Sequence, residues 1–293
     1  MKEQKYILKK QDSFELKDIF ECGQCFRWNK EPDGSYTGVF KGNVLNVKKE
    51  DENIIFTGIL NGDIKKIVTN YFDLDRDYGK IKDELSKIDT YLKESIQYGS
   101  GIRLLNQDLW EVIISFIISA NNNIPRIKGI VEKLSAKYGD KIEWNGKEYY
   151  SFPTPKQLEN VSAQEYRSLG LGFRDIRLYE TTKMVLENEI DLEELHSKPT
   201  FEVREKLLQL SGVGPKVADC ILLFSTLKRF DVFPIDVWVR RVMNELYIKN
   251  EDENKVNKKE IMRIAKDKFG DLEGIAQQYL FYWKREGTFG DRF

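Results

Sequence analysis

The sequence predicts an α+β chain. An antiparallel sheet domain with flanking helices is expected over residues 1–100, and a mostly helical region over 101–293. Before residue 62, short stretches that alternate apolar and polar side chains sit between turn signals; after it, apolar residues recur at helical spacing. The length of 293 residues and a hydrophobic fraction of 41% are enough to bury a sizeable core, in two or three subdomains.

In chain order, residues 36–40, 44–47 and 54–57 read as strands. Pro32-Asp33-Gly34, Lys41-Gly42-Asn43 and residues 50–53 supply the turns. Helices are predicted over 63–71, 78–85, 91–98, 109–118, 124–138 and 175–186, then over 204–210, 217–227, 258–269 and 272–285. Residues 143–152, with Trp144, Tyr149 and Tyr150 among polar neighbours, read as a small hairpin or irregular insert. No repeat or low-complexity segment is present.

The start, Met1-Lys2-Glu3-Gln4-Lys5, is charged, and no apolar signal-peptide segment follows it. The longest apolar helix, 109–120, is too short to span a bilayer. Three cysteines form no even framework and fit a reducing, intracellular setting.

The chemistry concentrates in residues 210–236. Leu210-Ser211-Gly212-Val213-Gly214-Pro215 joins two helical segments. Gly212 and Gly214 permit positive φ and expose N–H groups, and Pro215 suits a first helical turn. Free N–H groups at a helix N-terminus attract phosphate. Alone, such a turn is more often an ordinary link between packed helices.

Lys216 follows at once, and it is a candidate nucleophile. An amine attacks only when unprotonated, and burial together with a positive helix end favours that form. Cys220 shares its helix face, where its thiol can contact the amine or a ligand, or simply fill the core. Asp236, after Phe233-Pro234-Ile235, is a good helix N-cap; a carboxylate held that way can also steady a developing sugar cation.

The turn resembles the helix-hairpin-helix module, about residues 201–227, which grips DNA backbone without reading sequence. With Lys216 and Asp236, the chain resembles the helix-hairpin-helix DNA glycosylase superfamily, and within it the 8-oxoguanine DNA glycosylase/AP lyase family, from about Phe14 to Phe281. The resemblance implies a bifunctional enzyme that extrudes 8-oxoguanine from the duplex. Lys216 then attacks C1′ with help from Asp236, and the strand is cleaved through a Schiff base.

Four further segments carry the likeness. In Cys22-Gly23-Gln24-Cys25, the resemblance makes the Gly23 carbonyl the acceptor for the N7–H that distinguishes 8-oxoguanine from guanine; otherwise Gly23 marks a turn before a strand. Asn121 and Arg126, in Ala120-Asn121-Asn122-Asn123-Ile124-Pro125-Arg126, are assigned to the base opposite the lesion, although capping explains the asparagines equally well.

In Leu169-Gly170-Leu171-Gly172-Phe173-Arg174, Phe173 is the expected wedge and Arg174 a second contact to the opposite base. The family usually has tyrosine at the wedge. Gln277 and Phe281, four apart on one helix, are assigned to the Watson–Crick edge and face of the lesion base; such a pair is also common on half-buried helices.

Gly212, Val213, Gly214 and Trp238 are assigned to the DNA backbone. Trp238 stands where the family often has histidine, which suggests a bacterial branch. Its ring can stack or donate its N–H.

Three cysteines, none beyond Cys220, cannot hold the four-thiolate iron–sulfur cluster of related glycosylases. Cys22 and Cys25 lack a second pair for zinc. No metal and no cofactor are therefore expected. The expected partner is double-stranded DNA with oxidised guanine, met by a monomer inside the cell (cytoplasm or nucleoid, if bacterial) and not at a membrane.

The net charge of −1 opposes DNA binding unless charge is segregated. Arg126, Arg174, Arg177, Arg240 and Arg241 do lie in or beside the motifs, while the acidic runs at 191–194 and 251–253 lie outside them. Two other readings stay open: a relative acting on a different lesion, and a nonenzymatic helix-hairpin-helix protein that only docks.

Overall fold

A computed structural model describes residues 2–252 and 255–287. The end of the predicted helical region beyond 287, and Glu253 of the second acidic run, lie outside the described residues.

Five strands form one antiparallel sheet: β1 (Lys2–Lys9), β2 (Trp28–Lys30), β3 (Tyr36–Phe40), β4 (Asn43–Glu50) and β5 (Asn53–Leu60), in the order β1-β5-β4-β3-β2. The three predicted strands are all present. The sequence reading missed β1 and β2. Strand β1 is a lysine-rich edge whose residues are exposed or half-buried, and its backbone pairs with β5, from Lys2↔Leu60 to Lys9↔Asn53. Strand β2 has only 3 residues.

Helix α1 (Leu16–Phe20) crosses between β1 and β2, and α2 (Ile64–Tyr71) covers the sheet. The core between them is aromatic. Phe20 stacks on Trp28 at 4.2 Å and Phe40 on Tyr71 at 3.9 Å, while Trp28 Nε1 donates to the Tyr71 hydroxyl at 3.0 Å. Gly38 makes room for this: a Cβ there would sit 2.3 Å from the Trp28 ring.

Helices α3 (Tyr78–Leu85) and α4 (Thr90–Tyr98) lead into the helical body. Leu85, Leu92 and Ile96 join its core, and α4 packs on the last helix. Then come α5 (Leu109–Ser119), α6 (Ile124–Tyr138), the β6–β7 hairpin (Lys141–Trp144 and Lys147–Tyr150), α7 (Ala163–Tyr166) and α8 (Asp175–Leu186). The remainder is α9 (Thr200–Leu207), α10 (Pro215–Phe224), α11 (Val237–Met243), α12 (Lys258–Phe269) and α13 (Glu273–Gly287). Among the described residues no helix is long and apolar enough to cross a membrane.

The segment after α1 joins the two cores: Cys22 and Phe26 pack into the helical core, Cys25 and Trp28 into the sheet core.

Arg103 is buried, and the side chain of Lys228 is largely covered, where the two halves meet. Lys228 Nζ donates to the Leu104 carbonyl at 2.7 Å and lies 3.8 Å from Asp73. Burial brings its amine down to about 7 despite Asp73. The unfolded chain keeps its proton to about 10.4, so parent stability should rise with pH between about 7 and 10. We therefore expect the stability advantage of Lys228→Met over the parent to be largest below pH 7. It should shrink by up to a few kcal/mol as pH rises to 10, measured by urea unfolding at stepped pH. A constant difference would exclude titration of Lys228.

Candidate active site

Helices α9 and α10 pack as a pair. Val203, Leu207, Val217 and Ile221 are buried between and behind them, and Arg204 Nε donates to Asp219 Oδ1 at 2.7 Å. In the hairpin between them, Gly212 has φ +84°, and a Cβ there would meet Arg177 Cδ at 2.7 Å. Gly214 N-caps α10 without any side-chain cap, and its Cβ position is open. The first-turn N–H groups of α10 thus remain available to an anion.

The Val213 side chain is buried and its N–H donates to the Leu210 carbonyl at 3.1 Å, which anchors the turn.

Pro215 and Lys216 open α10, and this places the Lys216 side chain at the mouth of a cleft. The cleft, about 60 Å³, gathers Lys216, Cys220, Asp236, Gly23, Gln277 and Phe281. Lys216 is half-buried, with Nζ 5.4 Å from the Phe116 ring centre and Cys220 lining the same cleft. Asp236 N-caps α11: its Oδ1 accepts from the Val239 N–H at 2.8 Å.

Opposed effects act on the Lys216 amine. Cys220, as a thiolate, and Asp236 raise it, while burial lowers it. Burial also holds the Cys220 thiol up at about 11, so near neutral pH the thiol is uncharged and burial is set against Asp236 alone.

Gly23 lies opposite, with φ +89°. Three side chains occupy the carbonyls around it. Arg285 Nη2 donates to Glu21 O, Gln278 Nε2 to Cys22 O at 2.7 Å and Gln107 Nε2 to Gln24 O at 2.7 Å. Gln24, fully buried, donates to Ile19 O and Arg103 O and accepts from the Leu105 N–H. Among the described residues, none donates to the Gly23 carbonyl. Gln277 is 5% exposed, and its Oε1 is buried without a hydrogen-bond partner. The cleft therefore presents two unoccupied acceptors, one from the backbone of a braced loop and one from α13.

Neither Arg285 nor Gln278 was singled out by sequence. Arg285 lies four residues beyond Phe281, so helical spacing held that signal. Gln278 did not differ in any sequence feature from its neighbour Gln277.

A second group of predicted residues surrounds Phe173, which is 53% exposed between the guanidinium groups of Arg174 at 4.2 Å and Arg177 at 5.0 Å. Arg126 is exposed nearby, with Nη2 donating to Gly170 O at 3.1 Å. The asparagine run divides its roles. Asn122 Nδ2 donates to Ile118 O at 3.1 Å, and Asn123 caps α6 through the Arg126 N–H at 3.0 Å. Asn121 is exposed, in the left-handed region at φ +52°.

Arg174 lies under the Phe173 ring. It is 2% exposed, and its donors go to the carbonyls of Ala120, Asn121 and Leu171. It fixes the Asn121 loop beneath the Phe173 ring. On α11, Arg241 stacks over the half-buried Trp238 at 5.3 Å. Local clustering of cations in these two places relieves the objection raised by the net charge.

Comparison with known proteins agrees with this geometry. Residues 6–113 match the 8-oxoguanine DNA glycosylase N-terminal domain, and residues 114–269 the HhH-GPD superfamily of base excision DNA repair proteins. A probable N-glycosylase/DNA lyase of Methanothermobacter thermautotrophicus is 32% identical over 224 residues, 70% of each chain. The structure of MBOgg1 with a low-affinity DNA ligand superposes with a TM-score of 0.91 at 47% identity, over 98% of this chain and 99% of that one. The Clostridium acetobutylicum 8-oxoguanine glycosylase/lyase, in complex with duplex DNA containing cytosine opposite 8-oxoguanine, gives 0.89 at 44% identity over 96% and 98%. The chain thus belongs to the HhH-GPD superfamily of base excision DNA repair proteins and, within it, to the 8-oxoguanine DNA glycosylase family.

Proposed function

We propose that this protein excises 8-oxoguanine from duplex DNA and then cleaves the strand. The observation that carries the reading is the buried, unpartnered Gln277 Oε1 in one cleft with Lys216, Asp236 and the unoccupied Gly23 carbonyl. Buried acceptors left unpaired are costly, so the cleft favours a ligand that brings N–H donors on two edges. 8-oxoguanine does so: N1–H and the exocyclic amine on one edge and N7–H on the other.

The hairpin at Gly212 and Gly214, with Trp238, holds the backbone. Phe173 fills the gap left by the extruded nucleotide, and Asn121 and Arg126 meet the base opposite. Arg174 keeps that loop in place. The cleft holds only about 60 Å³, small beside the roughly 300 Å³ of a small ligand pocket. Its walls must part to admit a purine, and Phe281 then stacks on the ring.

A seated base excludes water around Lys216, which favours loss of its proton. The amine lone pair forms a bond to C1′, the C1′–N9 pair departs with the base, and Asp236 stabilises the positive charge on the sugar. The adduct opens to a Schiff base. Removal of a C2′ proton then expels the 3′ phosphate, cutting the strand. This scheme needs no metal or cofactor. We place the protein inside the cell as a monomer, and the division near residue 100 separates the sheet domain from the helical region.

The test is a panel of duplexes carrying 8-oxoguanine opposite each normal base, or an alkylated purine, scored for base release and strand cleavage. Preferred release of 8-oxoguanine with cleavage supports the reading. Comparable release of alkylated purines would overturn the lesion assignment, and binding without release would overturn enzymatic action.

A further inference from the structure

Arg285 and Gln278 occupy an unusual place in the site. Both stand on α13 and both reach across to the loop that holds Gly23. Arg285 does three things at once. It donates to the Glu21 carbonyl, its Nη1 would lie 3.1 Å from a Cβ on Gly23, and its guanidinium sits 5.2 Å from the Phe281 ring centre. Gln278, 2% exposed, takes the Cys22 carbonyl. The two carbonyls just before Gly23 are thereby fixed to the same helix that carries Gln277 and Phe281, while Gln107 holds the carbonyl just after it.

We propose that Arg285 and Gln278 are positioning residues that set discrimination between 8-oxoguanine and guanine, by holding the Gly23 carbonyl at a fixed distance from Phe281 and Gln277. This rests on the function proposed above. The physical reason is selectivity by a single acceptor. One hydrogen bond distinguishes the two bases, so its worth depends on how rigidly the acceptor is held. A loop free to shift by a fraction of an ångström can pair with water or turn from the base, and guanine is then no longer penalised. Arg285 suits the task better than lysine, because its planar group can donate to Glu21 and stack on Phe281 in one orientation.

The experiment uses the full chain with Arg285→Met and, separately, Gln278→Met, each retaining the bulk of the side chain. Three rates are measured: release of 8-oxoguanine, release of guanine from an otherwise identical duplex, and cleavage at an abasic site, which holds no base to read. We expect the 8-oxoguanine-to-guanine ratio to fall about tenfold in each variant, with abasic-site cleavage falling much less. Arg285→Lys should recover part of the ratio. Equal loss of all three rates, or an unchanged ratio, would overturn the proposal. A parent chain that cleaves abasic sites but releases no 8-oxoguanine would instead overturn the functional reading beneath it.

Discussion

Lys216→Gln is expected to reduce base release by at least ~10³-fold, because removal of a nucleophile eliminates the covalent route itself. Glutamine preserves the length and polarity of the stem at the cleft mouth, and the hairpin and its N–H groups are untouched. DNA affinity should therefore stay within a few-fold of the parent. Borohydride should trap a protein–DNA adduct with the parent and none with the variant; a trapped adduct on Lys216→Gln would exclude Lys216. The amine also has a pH consequence. Attack needs the unprotonated amine, so parent excision should climb as pH rises above neutrality.

Asp236→Asn separates two roles of one side chain. The carboxylate caps α11 through the Val239 N–H at 2.8 Å, and asparagine caps a helix about as well. Thermal stability should therefore change little. Charge is what the substitution removes, and excision should fall by ~10²–10³-fold as the sugar cation loses its stabilising neighbour. Filter binding and single-turnover release decide the matter together. Loss of affinity and rate in equal measure would reduce Asp236 to a structural cap.

Helix ends marked by local chemistry were legible in the sequence. The helices at 124–138 and 258–269 begin after Asn123 and Asn257, which cap them, and both match the structure. Ends set by distant partners were not. Helix α10 stops at Phe224, three residues before its predicted end, because Ser225 turns extended to bridge Gln107. Strand β1 depends on a partner more than forty residues away.

The same distinction holds at the site. Lys216 and Asp236 are identifiable from their own neighbours. The fate of Arg174 depends on carbonyls at Ala120 and Asn121, which no local pattern reports. The charge on Lys216 likewise depends on Cys220, on burial and on Asp236, not on its sequence neighbours alone.

The strap that carries Gly23 threads between two separately packed interiors, with Cys22 and Phe26 anchored in one and Cys25 and Trp28 in the other. Heat or a defect that loosens the β-layer should blur damage recognition at temperatures where the hairpin and its lysine still stand. Such a half-disabled molecule would keep nicking baseless sites while letting oxidised purines pass, a failure visible as lost fidelity before lost activity.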